Sequence, residues 1–272
     1  MAIIAGKNSR IKFPGALVAT VGEATTEDVT QKKYQITNTA KRVLQRTGTI
    51  NVHKYSANGT AEDDTTTTNI EITGHGLATG DLIVNTSRSN AKRIITKVDN
   101  NNFTVSAITG QVQGDTIQKC PIESSSNYTL NRLIGRVTYA SATSRTIYIT
   151  AGYYPLTSVS DVSEFSQSIE ANNEDISDFE GDGHVERVQG LLDVKGSLSG
   201  FYIDSTYQTL IIDGTIVVIE FFVDKNGVFD SKAWALLSNV EASTGVDGVV
   251  ELSCDYEGVY DDDKRVIALG TE

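Results

Sequence analysis

The chain has 272 residues, of which 39% are hydrophobic and 21% charged, and its apolar residues occur in short runs separated by Gly, Ser, Thr and Asn. This composition excludes a disordered chain, and no run approaches the roughly 20 apolar residues of a membrane-spanning helix. Two cysteines far apart, Cys120 and Cys254, exclude a disulfide framework, and a net charge of −12 argues against stable nucleic-acid binding.

The charge is unevenly distributed. Residues 1–150 carry 17 Lys and Arg against 11 Asp and Glu, whereas residues 151–272 carry 6 against 24. Three interpretations remain open: a solvated acidic surface, basic and acidic faces that meet between copies of the chain, or an acidic channel wall that repels DNA phosphates.

The first half of the chain predicts strands. Short runs with alternating or β-branched residues are bounded by turn residues, as in a sandwich or barrel, at 49–55, 81–84, 93–98, 103–106 and 146–150. Polar stretches at 56–68 and 123–127 enclose some of these runs. They predict a small all-β domain at 66–121, inserted into a larger discontinuous β domain that comprises 1–58 and 124–272.

Two helices are suggested by periodicity. The stronger one follows Asp204, a good N-cap, and stops before Gly214, while a weaker candidate runs from Thr37 to Gln45. Beyond the first helix, the apolar run Thr215–Val223 and the run that begins at Val228 flank an Asn-Gly turn and predict a hairpin. Because the first arm is almost wholly apolar, both of its faces should be covered.

No catalytic, cofactor or metal site emerges from the sequence. His53, His75 and His184 lack metal-ligand spacing, and Gly196–Gly200 fails as a nucleophile elbow because Leu198 stands at its centre. The acidic residues between 170 and 182 are abundant without the defined separation that glycoside hydrolysis needs. We therefore expect a protein that is not an enzyme and that binds no cofactor.

A family resemblance rests on several segments in a fixed order. They are Ile147–Leu156, Glu164–Ala171 with Asp175–Phe179, Gly196–Phe201, the helix with Gly214, the apolar hairpin, and Val246–Gly258. Together with Tyr34–Val52, this order resembles the major tail tube proteins of long-tailed, non-contractile (siphovirus-like) phages. The segment His75–Val105 resembles a small β module of phage tail proteins, which would decorate the outside of a tube.

The resemblance implies a tail-tube-type β-sandwich or barrel of two packed antiparallel sheets with one short helix. It also implies a virion protein, made in the host bacterial cytoplasm, that assembles into stacked hexameric rings. Its partners would be further copies of itself, a tape-measure protein, and tail terminator and tip proteins. DNA would pass through the tube without being bound, and no membrane would be involved.

Several acids form the candidate inter-subunit or lumen region: Glu170, Glu174, Asp175, Asp178, Glu180 and Asp182. The alternative function is a β-rich module of a tail tip that binds glycans or a host surface. A tube protein should form rings or polymers at raised concentration, whereas such a module should remain a small oligomer and bind a sugar.

Overall fold

The computed structural model describes residues 9–63, 65–159, 162–175, 187–201, 206–222, 229–244 and 250–270. The chain divides into two compact units. Unit 1 comprises Met1–Gly15 and Leu156–Glu272, and unit 2 comprises Ala16–Pro155. Strands dominate both units, so the predicted mainly β fold with antiparallel sheets and one short helix is confirmed.

Unit 1 is built on one eight-stranded antiparallel sheet. Seven strands follow one another in the order β17 (Leu156–Val159), β1 (Ser9–Pro14), β20 (Ile216–Phe221), β21 (Ser231–Thr244), β22 (Val250–Gly258), β19 (Arg187–Phe201) and β18 (Val162–Asp175). The eighth, β23 (Ile267–Leu269), also pairs with β21. The helix α1 (Thr206–Ile212) contributes Leu210 and Ile211 to the core.

The sheet of unit 1 is strongly curved. The Phe165 ring on β18 stacks on the Phe221 ring of β20 at a centroid distance of 5.0 Å. In a flat sheet these strands, four places apart, would be separated by about 19 Å. The sheet must therefore fold over so that β18 faces β20, and the buried core fills the space between them. That core consists mainly of Val194, Leu198, Val217, Ile219, Ala233, Ala235, Leu237, Cys254 and Tyr256.

Unit 2 is inserted into a hairpin of unit 1. Strands β1 and β17 are antiparallel neighbours, and Pro14 pairs with Leu156. The chain leaves unit 1 directly after β1 and re-enters it at β17. Unit 2 thus occupies the position of the turn between two paired strands.

Unit 2 contains a six-stranded antiparallel sheet. Its order is β13 (Tyr128–Asn131), β14 (Arg136–Tyr139), β4 (Lys33–Ile36), β3 (Glu23–Glu27), β15 (Ile147–Thr150) and β5 (Asn51–Lys54). The short strands β2 (Val18–Ala19) and β16 (Gly152–Tyr153) pair beside the two ends of this unit.

Two smaller sheets complete unit 2. A four-stranded sheet has the order β6 (Ala57–Thr60), β12 (Thr116–Cys120), β8 (Leu82–Asn85) and β9 (Ala91–Ile94). A three-stranded sheet has the order β10 (Thr96–Lys97), β11 (Asn102–Thr104) and β7 (Asn69–Glu71). The predicted inserted domain at 66–121 lies within unit 2, and its boundaries, like those of the larger domain (1–58 and 124–272), stay a prediction.

Most local predictions match the structure. Gly214 follows α1 with a φ of +60°, the left-handed conformation that a helix-terminating glycine adopts. The apolar hairpin is formed by β20 and β21, with Ile216 opposite Leu236. Residues 217–220 are all buried, which confirms that both faces of this strand are covered. The proposed N-cap Asp204 and the Asn226-Gly227 turn lie outside the described residues.

The weaker helix prediction is wrong. Between Thr37 and Gln45 the structure has a single 3₁₀ turn, Thr39–Lys41. The next residues leave the turn because Leu44 donates its backbone N–H to the carbonyl of Arg132 and Gln45 to that of Gly152. Tertiary pairing with neighbouring strands outweighs the helical periodicity.

Candidate assembly site

Among the described residues, the longest strand pairing is the ribbon formed by β18 and β19. Its register runs from Val162 opposite Gly200 to Asp175 opposite Arg187. Strand β22 pairs with β19 only from Lys195 to Phe201. In the described part of the chain, the distal ribbon, residues 169–175 with 187–194, is therefore a two-stranded structure that continues beyond the sheet.

The exposure pattern of β18 changes where it leaves the sheet. Glu164 is exposed and Phe165 is partly buried in the core, as expected for a strand with one covered face. Ile169, Glu170 and Ala171 are exposed in succession. Alternation stops at these three residues, and Ile169 leaves about half of its side chain in water although Val194, its register partner on β19, is buried in the core.

One lysine at the base of the distal ribbon lies between two carboxylates. Lys195 Nζ is 2.8 Å from Glu170 Oε2 and 3.8 Å from Asp193 Oδ2. The hydrogen bond from Lys195 lowers the pKa of the Glu170 carboxyl, with help from Ser168, and the same bond raises the pKa of Lys195. Because two carboxylates share one ammonium group, this exposed cluster keeps a net negative charge.

The predicted acidic region is only partly described. Glu170 is placed on the exposed ribbon, while Glu174 and Asp175 lie on β18 opposite Val188 and Arg187. Asp178, Glu180 and Asp182 lie outside the described residues. The structure thus brings the first three onto one strand, and a role for the six acids in a lumen or between subunits stays a prediction.

Sequence reasoning missed the basic residue that meets these acids. Lys195 is 25 positions from Glu170 in the chain, and only the register of β18 with β19 brings them together. The signal that could have found the pair is the length of the two polar strand-like segments on either side of residues 176–186. The lengths of the two segments alone would not give the exact partners, because a bulge between Ala171 and Asn173 shifts the register.

One further polar groove among the described residues is held by internal hydrogen bonds. An open groove of about 630 Å³ is lined by Glu62, Asp63 and Glu71, but both oxygens of Glu62 accept hydrogen bonds from Thr73 at 2.8 Å. Among the described residues, no group of three His, Cys, Asp or Glu side chains could hold a metal ion, and no helix is long and apolar enough to cross a membrane.

Comparisons with known proteins identify weak structural similarities. No protein-family model and no curated protein matches the chain. Two solved structures are similar: the tail of an empty gene transfer agent particle, from helical refinement with C6 symmetry, and the virion of a native gene transfer agent particle. Each is 11% identical with a TM-score of 0.35, over 42% of this chain and 86% and 88% of the respective neighbour.

Proposed function

We propose that this protein is a structural subunit of a phage-type tail. It assembles into stacked hexameric rings that form a hollow tube, and DNA passes through that tube. The proposal combines the ordered sequence resemblance to tail tube proteins with the architecture of unit 1. The observation that carries it is the distal ribbon, which extends beyond the sheet and exposes its edges.

A two-stranded ribbon in water is only marginally stable alone. Three or more strands, or packing against another element, are needed for independent stability. The distal ribbon has an exposed apolar side chain, Ile169, and backbone groups along β18 without a further paired strand among the described residues. Such an edge is a template for pairing with another chain. We infer that a neighbouring copy covers it.

A tube also requires contacts of two kinds. Head-to-tail contacts that close generate a ring, whereas contacts that do not close generate a filament. Unit 1 offers surfaces for both, because the edge strands β17 and β18 are distinct and the distal ribbon projects from one of them.

The charge of unit 1 suits a channel for DNA. This unit carries 9 Lys and Arg against 24 Asp and Glu. An acidic wall repels phosphates, so a polyanion can move past it without binding. Tape-measure, terminator and tip proteins are the further partners that the resemblance implies.

Negative-stain electron microscopy across a concentration series tests the proposal. We expect rings or hollow tubes from the wild-type chain, and far fewer from Ile169→Asp, which places a charge on the distal ribbon. Val98→Asp is the matched control because Val98 is an exposed β-branched apolar residue on unit 2, 61% accessible against 48% for Ile169. Particles that stay single at every concentration would refute tube assembly and favour the glycan-binding alternative, whereas equal assembly of all three proteins would exclude the ribbon as the contact.

A further inference from the structure

The six-stranded and four-stranded sheets of unit 2 meet in a small buried cluster. Tyr148 on β15 packs there against Leu82 and Val84 on β8 and Cys120 on β12. Backbone hydrogen bonds reinforce the junction, among them one from Lys54 N–H to the carbonyl of Pro121. We call this junction the seam.

A histidine is buried at the seam. His53 on β5 is opposite Tyr148 in the register, so both side chains lie on the same face. Its Nε2 is 3.0 Å from Thr150 Oγ1, and a backbone bridge joins it to Ile122, just after β12. The side chain is inaccessible to solvent, and Nδ1 has no partner at hydrogen-bond geometry, although the backbone of Cys120 favours the protonated ring slightly.

The other titratable groups at the seam give a charged His53 only partial compensation. Asp81 is nearest, but Ala78 N–H and Ile122 N–H donate to its two oxygens at 2.7 and 2.8 Å. The Lys92 ammonium lies 5.1 Å from the Tyr148 ring centre and interacts with the Glu23 carboxylate. Burial raises the pKa of Cys120 to about 12 and also raises that of Tyr148, so both stay neutral. A proton on His53 would add a buried charge that its surroundings compensate only in part.

We propose that His53 makes the seam acid-sensitive: its protonation separates the four-stranded sheet from the six-stranded sheet while unit 1 stays folded. This inference concerns unit 2 and does not depend on tube assembly. A buried neutral imidazole that joins two sheets has the arrangement of a pH-dependent switch.

The direction of the pH effect follows from the proton affinity of His53, which is higher when the seam is open than when it is closed. Burial lowers the pKa of His53 to about 4, and Asp81 and the backbone of Cys120 offset this only in part. Once the seam opens, the imidazole returns to its ordinary pKa of about 6.5. The seam is therefore fully stable above pH 6.5 and loses stability as the pH falls from 6.5 towards 4. These values predict an opening equilibrium about 30-fold larger at pH 5 than at pH 7.5.

Hydrogen exchange of the full chain at pH 7.5 and 5.0, with labelling times corrected for the intrinsic exchange rate, tests the inference. We expect about 30-fold weaker protection at pH 5.0 for peptides covering β5, β8 and β12. Peptides covering β20 and β21 report on unit 1 and should remain unchanged. His53→Gln should abolish the change. Equal protection of the seam at both pH values, or loss of protection in both units together, would overturn the proposal.

A second measurement needs no variant. Because the chain has three histidines, isotope labelling of histidine alone gives a resolvable NMR titration. We expect the His53 ring to stay neutral in the closed seam down to pH 5 and to gain its proton together with the exchange change. A midpoint near 6.5 for His53 with the seam still protected would refute the mechanism.

Discussion

The side chain of Tyr256 crosses over Gly196, its register partner on β19, and its hydroxyl donates a 3.0 Å hydrogen bond to the carbonyl of Ser166 on β18. A Cβ atom at position 196 would lie 2.5 Å from the hydroxyl oxygen of Tyr256 and 2.0 Å from the Ser166 carbonyl oxygen. Only glycine leaves room for this crossing, which ties three strands together at the base of the ribbon.

Gly196→Ala should therefore destabilise unit 1 by about 2–3 kcal/mol, since backbone atoms have to move to admit the methyl group. Tyr256→Phe should cost less, about 1 kcal/mol, because it removes only the hydrogen bond. Chemical denaturation of both variants measures the two costs. A smaller loss for Gly196→Ala than for Tyr256→Phe would show that the crossing is not tightly packed.

Removing the charge of Glu220 should lower the free energy of unfolding strongly, because this one carboxylate contacts two lysines. This buried carboxylate lies 2.5 Å from Lys12 Nζ and 2.7 Å from Lys232 Nζ. Glu220→Gln leaves two ammonium groups without their counter-charge, so we expect a loss of about 3 kcal/mol in the free energy of unfolding. Glu170→Gln is the control. It removes an exposed carboxylate from its ion pair with Lys195, and because that pair lies in water, stability should be unchanged.

The same carboxylate predicts an acid dependence for unit 1. Burial by itself would raise the pKa of Glu220, but Lys232 and Lys12 outweigh burial and lower it below the ordinary value. A carboxyl with a lowered pKa stabilises the fold above its unfolded pKa, and that contribution is lost as the pH falls below about 4.5. Thermal unfolding measured from pH 7 to pH 3 should show this loss in the wild-type chain and a weaker one in Glu220→Gln.

Unit 2 should fold when produced alone as residues 16–155. Its buried clusters are made of its own residues, and β2 pairs with β16 beside its two ends. We expect a dispersed NMR spectrum and a cooperative unfolding transition. A shorter piece, 20–151, lacks both terminal strands, β2 and β16, but keeps β15 whole, and serves as the matched comparison, with a lower unfolding temperature expected. A collapsed state without cooperative unfolding in 16–155 would contradict this view.

The sequence predicts local features of this fold better than distant pairings. The apolar run that became β20 and the glycine after α1 are recognisable because strand and helix signals act over a few residues. The partners of Glu220 are not recognisable in the same way, since Lys12 reaches it from β1 across most of the chain. The candidate acids show the same difference between local and distant features. Their number is visible in the sequence, whereas the contact of Glu170 with Lys195 depends on a strand register that contains a bulge.

The attachment of unit 2 at the β1–β17 turn bears on how such a chain could acquire new parts. The two strands hold the attachment points together, as Pro14 opposite Leu156 shows. Lengthening a loop between fixed ends costs little, about 0.6 kcal/mol for each doubling of its length. Evolution could therefore exchange one insert for another at this turn without altering the strand register of unit 1. The inserted domain can then vary between related chains while the sheet of unit 1 stays the same.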